Sequence, residues 1–131
     1  MPYKMNQPQF DRVVSLPAQE RYAHFISKVA DCQQLWTLKG PDGFVMFGDD
    51  SGQQCVPVWP HPDYAAALAK DSWSDCSPDE LNLEAFMSRW IPGMAKNRYM
   101  VAVFPTPEEK GIVVDPQRLR EDLSEELEQY E

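Results

Sequence analysis

The fold turns on residues 35–59, which read LWTLKGPDGFVMFGDDSGQQCVPVW. Leu35–Lys39 and Phe44–Gly48 are rich in aromatic and branched residues, which suit a pleated, half-buried surface. Gly40-Pro41-Asp42-Gly43 between them supplies a turn, because Pro–Asp starts one and glycine accepts positive φ. Asp49-Asp50-Ser51-Gly52 is a second turn cluster, followed by a third strand over Gln53–Trp59. Three sequential strands with tight turns predict an antiparallel meander. Pro57 cannot donate to a ladder, which places the third strand at an edge or over a bulge.

Helical spacing flanks the meander on both sides. Ser15-Leu16-Pro17 opens a helix in which Tyr22, Phe25, Ile26 and Val29 form one apolar face. Arg21, His24, Ser27 and Lys28 fill the remaining positions and are expected to be wet. After Trp59, Pro62 at a first helical position makes His61 an N-cap, with good helix formers over Ala65–Lys70. Ser77-Pro78-Asp79-Glu80 matches a capping box, yet Leu81 and Leu83 around Asn82 also suit a short strand, and a helix start at Glu84 is preferred. Leu83, Phe86, Met87 and Trp90 have helical spacing that Pro92-Gly93 kinks or ends. Tyr99–Pro105 and Ile112–Val114 read as strands. Asp115-Pro116 caps a last helix with the stripe Leu119, Leu123, Leu127 and Tyr130. The expectation is an α+β fold: a mainly antiparallel sheet of about five strands carrying three to four helices. Residues 1–14, without a sustained period, form an N-terminal arm to a single domain over 15–131.

The chain has 131 residues, long enough to bury roughly two-thirds of its unfolded surface in one core. Its formal charge of −9, from 21 acids against 12 bases, repels phosphate backbones and anionic lipid, so nucleic acid and membrane partners are not expected. Cys32, Cys55 and Cys76 are an odd count with wide gaps, fitting reduced thiols of a cytoplasmic protein rather than disulfides or a zinc site. No apolar run is long enough for a spanning helix.

His24 and His61 are the only histidines, and no nucleophile–base spacing, metalloprotease motif or phosphate-binding loop occurs. Hence no catalytic residues, metal ligands or cofactors are assigned. The Asp49–Gly52 turn lacks the alternating oxygen ligands and downstream glutamate of a calcium loop and reads as a solvated turn. Trp59-Pro60-His61-Pro62-Asp63-Tyr64 is the densest cluster of unusual residues. Two aromatics, an imidazole and a helix start there could hold a small ligand or a protein segment; equally, Trp59 and Tyr64 could plug the core beneath a proline-stiffened corner. Trp36 and Trp90 read as core fillers, while Trp73, in an irregular segment, is the better exposed anchor. The candidate ligand- or partner-binding residues are therefore Trp59, His61, Asp63, Tyr64 and Trp73.

Several strings extend this reading. Gly48–Gly52 leading to Val56-Pro57-Val58-Trp59-Pro60-His61-Pro62-Asp63-Tyr64-Ala65, then Phe86–Pro92 and Val101-Ala102-Val103-Phe104-Pro105, resemble a family of small bacterial proteins catalogued as domain of unknown function 2750. The resemblance runs from about Arg21 to Tyr130 and implies the same order of elements: helix, meander, helix, helix, hairpin, helix. It brings no residue role to any position. The leading expectation is a non-enzymatic binding or regulatory module, with a homo-oligomer as a further option. The alternative is a small hydrolase-like enzyme at the Trp59–Tyr64 corner using His61 as base or ligand.

Overall fold

In a computed structural model describing residues 6–41, 43–48, 52–69, 73–106 and 111–129, the chain begins with helix α1, Gln7–Val14. The N-terminal arm is thus helical over these residues. The Asn6 side chain caps it, accepting from the Gln9 N–H at 2.9 Å, and Val13 is buried. Helix α2, Ala18–Cys32, forms where the apolar spacing predicts and buries Phe25, Ile26 and Val29. Arg21, however, is only 1% exposed, a correction to its expected wet position. Its guanidinium donates from Nε to the Phe104 carbonyl (3.2 Å) and from Nη1 to that of Leu16 (2.5 Å). His24 is half-buried rather than an ordinary surface histidine.

The meander follows as β1 (Gln34–Gly40), β2 (Gly43–Phe44), β3 (Phe47–Gly48) and β4 (Gln54–Val58). The predicted second strand is split: β2 pairs antiparallel with β1 and β3 antiparallel with β4, with Val45-Met46 crossing between them. The Asp49–Ser51 part of the second turn lies outside the described residues. The α+β class stands, but the strands divide between two sheets, in the orders β2-β1-β5 and β3-β4-β6-β7. Trp36 and Trp59 join the sheets by exchanging both backbone hydrogen bonds at 2.8 Å.

Strand β4 is interior, contrary to the edge expected from Pro57, and pairs in parallel with β6 (Met100–Val103). The proline is accommodated because a strand residue directs its N–H and C=O to the same flank. The Pro57 carbonyl points to β1, where the Thr37 hydroxyl donates to it at 2.7 Å. The missing N–H therefore falls where the β3 ladder has ended and the Trp36–Trp59 pair has not begun.

Helix α3, Pro62–Ala66, starts at the predicted first helical position with His61 as its N-cap, and ends at Ala66, short of the Ala65–Lys70 run of helix formers. Ser77–Asn82 forms β5, antiparallel to β1, so the Ser77 capping box is not used. The helix starts later, as preferred: Asn82 caps it by accepting from the Ala85 N–H at 3.1 Å. It runs as α4 (Leu83–Ala85), a π-helical turn (Phe86–Trp90) and α5 (Ile91–Lys96). Pro92 neither ends nor breaks it, because the wider turn ahead, with Ile91 N–H donating to Phe86 O, reroutes the ladder where proline removes a donor. Strand β7 (Ile112–Val114) pairs antiparallel with β6. Helix α6 (Pro116–Glu128) is capped by Asp115 as predicted and buries Leu119 and Leu123; Tyr130 of the stripe lies outside the described residues.

Candidate binding groove

The structure brings Trp59, His61 and Tyr64 together around the end of β6. Trp59 is fully buried, and its indole N–H donates to the Pro105 carbonyl at 2.8 Å. The Tyr64 ring stacks on Phe10 (5.2 Å between centroids), tilts against Phe104 (4.6 Å) and meets the His61 ring edge-on (6.1 Å). His61 is buried and caps α3, its Nδ1 accepting from the Asp63 N–H at 3.1 Å. The Asp63 carboxylate, 59% exposed, lies 3.8 Å from the same nitrogen and faces a cleft of about 270 Å³ between α1 and α3. Trp73 is half-buried and packs on the edge of the core.

A larger and more apolar cleft than the one beside Asp63 lies elsewhere, where the helix passes the split strand. Phe44, Met46, Val56, Arg89, Trp90, Gly93, Met94, Asn97 and Tyr99 line a groove of about 360 Å³ open to solvent. Phe44, 40% exposed, is the large hydrophobic residue left uncovered among the described residues. It meets Trp90 edge-on at 4.7 Å, the geometry ring quadrupoles favour. Behind Trp90 the Phe86 ring stacks at 6.4 Å. Val56 and Met94 are buried and form the floor. Lys39 holds its ammonium 5.3 Å from the Phe44 ring centre, a cation–π contact at the mouth. The far end is closed by the helix terminus: the Asn97 amide donates to the Gly93 carbonyl at 2.8 Å, and the Tyr99 N–H to that of Met94 at 2.9 Å.

The described lining side chains include no carboxylate, imidazole or thiol to serve as base or nucleophile. Among the described residues no three His, Cys, Asp or Glu side chains gather to hold a metal ion. Desolvation, then Asp31, pushes the Cys32 thiol up, and desolvation, then Asp75, does the same at Cys76, so neither is poised as a thiolate. No helix among the described residues is long and apolar enough to cross a membrane.

A family profile, described as a protein of unknown function (DUF2750), matches residues 22–123, most of the chain. The chain belongs to the DUF2750 family. No curated protein matches it. Every groove residue falls inside the span matched to DUF2750, as do Trp59, His61, Asp63, Tyr64 and Trp73. Helix α1, whose Phe10 stacks on Tyr64, falls outside it.

Sequence spacing alone does not single out the groove residues: Trp90 reads as core and Phe44 as part of a strand. They come from two segments, 44–56 and 89–99, that no local pattern connects. One signal does mark the second segment. Ala85–Thr106 carries Arg89, Lys96 and Arg98 and no acid, in a chain with 21 acids.

Proposed function

We propose that this DUF2750 chain is a binding module without chemistry of its own, and that the Phe44–Trp90 groove holds a segment of a protein partner. The observation that carries this reading is the composition of the groove. Of its nine residues, Phe44, Trp90, Tyr99, Met46, Met94 and Arg89 are types enriched where protein interfaces are fully buried, and none is Asp, Glu, Lys, Ser or Ala, the types depleted there. Methionine adds adaptability to such a surface, and aromatic and arginine side chains supply its strongest contacts. A volume of about 360 Å³ is at the small end of ligand sites, suiting one or two anchoring side chains better than a bulky cofactor. The charge of −9 supports the further expectation that neither nucleic acid nor a membrane is the partner.

In this reading the Trp59–Tyr64 corner serves the core, with Trp59 and Tyr64 filling space under the sheet. NMR of methionine and alanine methyl groups tests the assignment. Apolar fragments titrated into the full chain are expected to shift Met46 and Met94 and to leave Ala65 and Ala66 beside the corner unmoved. Fragments that perturb the corner alone would move the site there. Turnover of esterase, phosphatase or glycosidase substrates, lost in His61→Ala, would replace the binding reading with an enzymatic one.

A further inference from the structure

The charge around the groove narrows the partner. Arg89 lines it, and Lys39 sits over Phe44 at its mouth. Lys96 and Arg98 flank Asn97 at its far end and are exposed. The lining itself presents one cation, Arg89, beside the Asn97 and Tyr99 side chains, and Lys39 adds a second above the Phe44 ring; none of the described lining residues is acidic. Guanidinium and ammonium groups can only donate. Yet the chain as a whole is strongly acidic, and among the described residues α6 carries a run of carboxylates at Glu121, Glu125, Glu126 and Glu128.

On this basis, and resting on the groove being the binding site, we infer that the partner is a protein segment with an apolar anchor flanked by Asp or Glu. The anchor fills the space between Phe44, Trp90 and Met94, and the flanking carboxylates reach Arg89 and Lys39, where a guanidinium can take a carboxylate through two parallel hydrogen bonds. The arrangement also selects. A basic segment would meet like charge at Arg89 and Lys39, and like-charge juxtaposition discriminates more strongly than exposed pairs attract. An exposed ion pair adds modestly to affinity, so the apolar anchor supplies the binding and the charges supply the choice.

Selection of displayed random dodecapeptides on the full chain tests this. The expected winners carry one or two large apolar residues beside Asp or Glu, and lose at least about tenfold in affinity against Phe44→Ala, whose exposed side chain is removed without opening the core. Against the double reversal Lys39→Glu, Arg89→Glu the same peptides weaken about five- to tenfold and the selection shifts toward basic sequences. Neutral or basic winners on the native chain that are still lost in Phe44→Ala would overturn the acidic partner and leave the groove as the site. Winners indifferent to Phe44→Ala would overturn both, as would no enrichment at all. A concentration-dependent dimer in light scattering that dissolves in the double reversal would make a second copy the occupant and refute a separate partner.

Discussion

Gly93 allows the groove to be closed without touching the rest of the fold. It lies in α5 with ordinary helical backbone, and a Cβ built on it meets no atom within 4 Å, because its face is the groove itself. Replacing it with alanine removes the flexibility penalty of a helical glycine, about 1 kcal/mol. Unfolding entropy is about 2.1 cal/mol/K per residue, so over 131 residues that gain corresponds to a Tm rise of roughly 3–4 °C. Gly93→Leu keeps most of this gain and places an isobutyl group against Trp90 and Met94. Affinity for selected peptides is then expected to fall at least about tenfold, since that loss is 1.4 kcal/mol and a single hot-spot contact commonly contributes more. Thermal unfolding by circular dichroism and peptide titration calorimetry on the native chain, Gly93→Ala and Gly93→Leu separate the effects. More stability with less binding is the expected result. A destabilised alanine variant would mean that the space beside Gly93 is not open. A leucine variant that binds as well as the native chain would mean that the groove is not the site.

Gly111→Ala is expected to cost at least about 2 kcal/mol in urea unfolding, since φ is +80° and the new Cβ would run into the Val103 carbonyl oxygen and lie 2.9 Å from the Pro105 nitrogen; a loss under about 0.5 kcal/mol would refute that close approach. Arg21→Met preserves much of the packing but strips the donors from the Phe104 and Leu16 carbonyls, and is expected to cost roughly 2–4 kcal/mol by the same assay; no loss would show that those carbonyls are solvated. Burial first, then Lys28 and Arg12, hold His24 below its ordinary pKa of 6.5. The unfolded chain therefore binds the proton more readily, so this contribution to stability is complete above about pH 6.5 and is lost as pH falls from there toward the lowered native value. Unfolding of the native chain and His24→Gln from pH 8 to 5 should show the native chain losing more, and parallel curves would disprove it.

Elements with strong local periodicity were legible in the sequence. The apolar face of α2, the Asp115 cap of α6, the meander order and the late helix start after Asn82 all follow from spacing or capping chemistry that acts within a few residues. The misreadings share a cause: they depend on what lies across space. Arg21 looked wet because residue type alone assigned it to the polar side, whereas the end of β6 crosses over that side and offers it the Phe104 carbonyl. Pro57 looked like an edge residue because the rule counts donors and ignores which flank lacks a partner. Asn82, Asp79 and Glu80 are polar, so β5 shows no strand alternation, and its pairing with β1 is a tertiary effect. At the Trp59–Tyr64 corner the clustering of unusual residues was visible, but not whether they face outward; Phe10, far off in sequence, covers Tyr64.

Three departures from regular structure converge on the groove, and this is its best physical explanation. The predicted strand over Phe44–Gly48 breaks at Val45-Met46, so that Phe44 follows one sheet and Gly48 the other. Opposite that seam the helix widens into a π turn over Phe86–Trp90, which carries both Arg89 and Trp90 to the groove. Immediately after it, Pro92-Gly93 gives up a backbone donor and a side chain in consecutive residues. Each of these weakens local order: a split ladder loses pairing, π turns are rare, and glycine and proline are the poorest residues for a helix. A continuous strand facing a regular helix with alanine at position 93 would pack more tightly and leave no concavity. Such irregularities are retained in natural proteins chiefly where they shape a site. Their meeting at one apolar surface whose described lining residues include no acid, rather than at the well-packed Trp59–Tyr64 corner, favours the groove as the place where this chain acts.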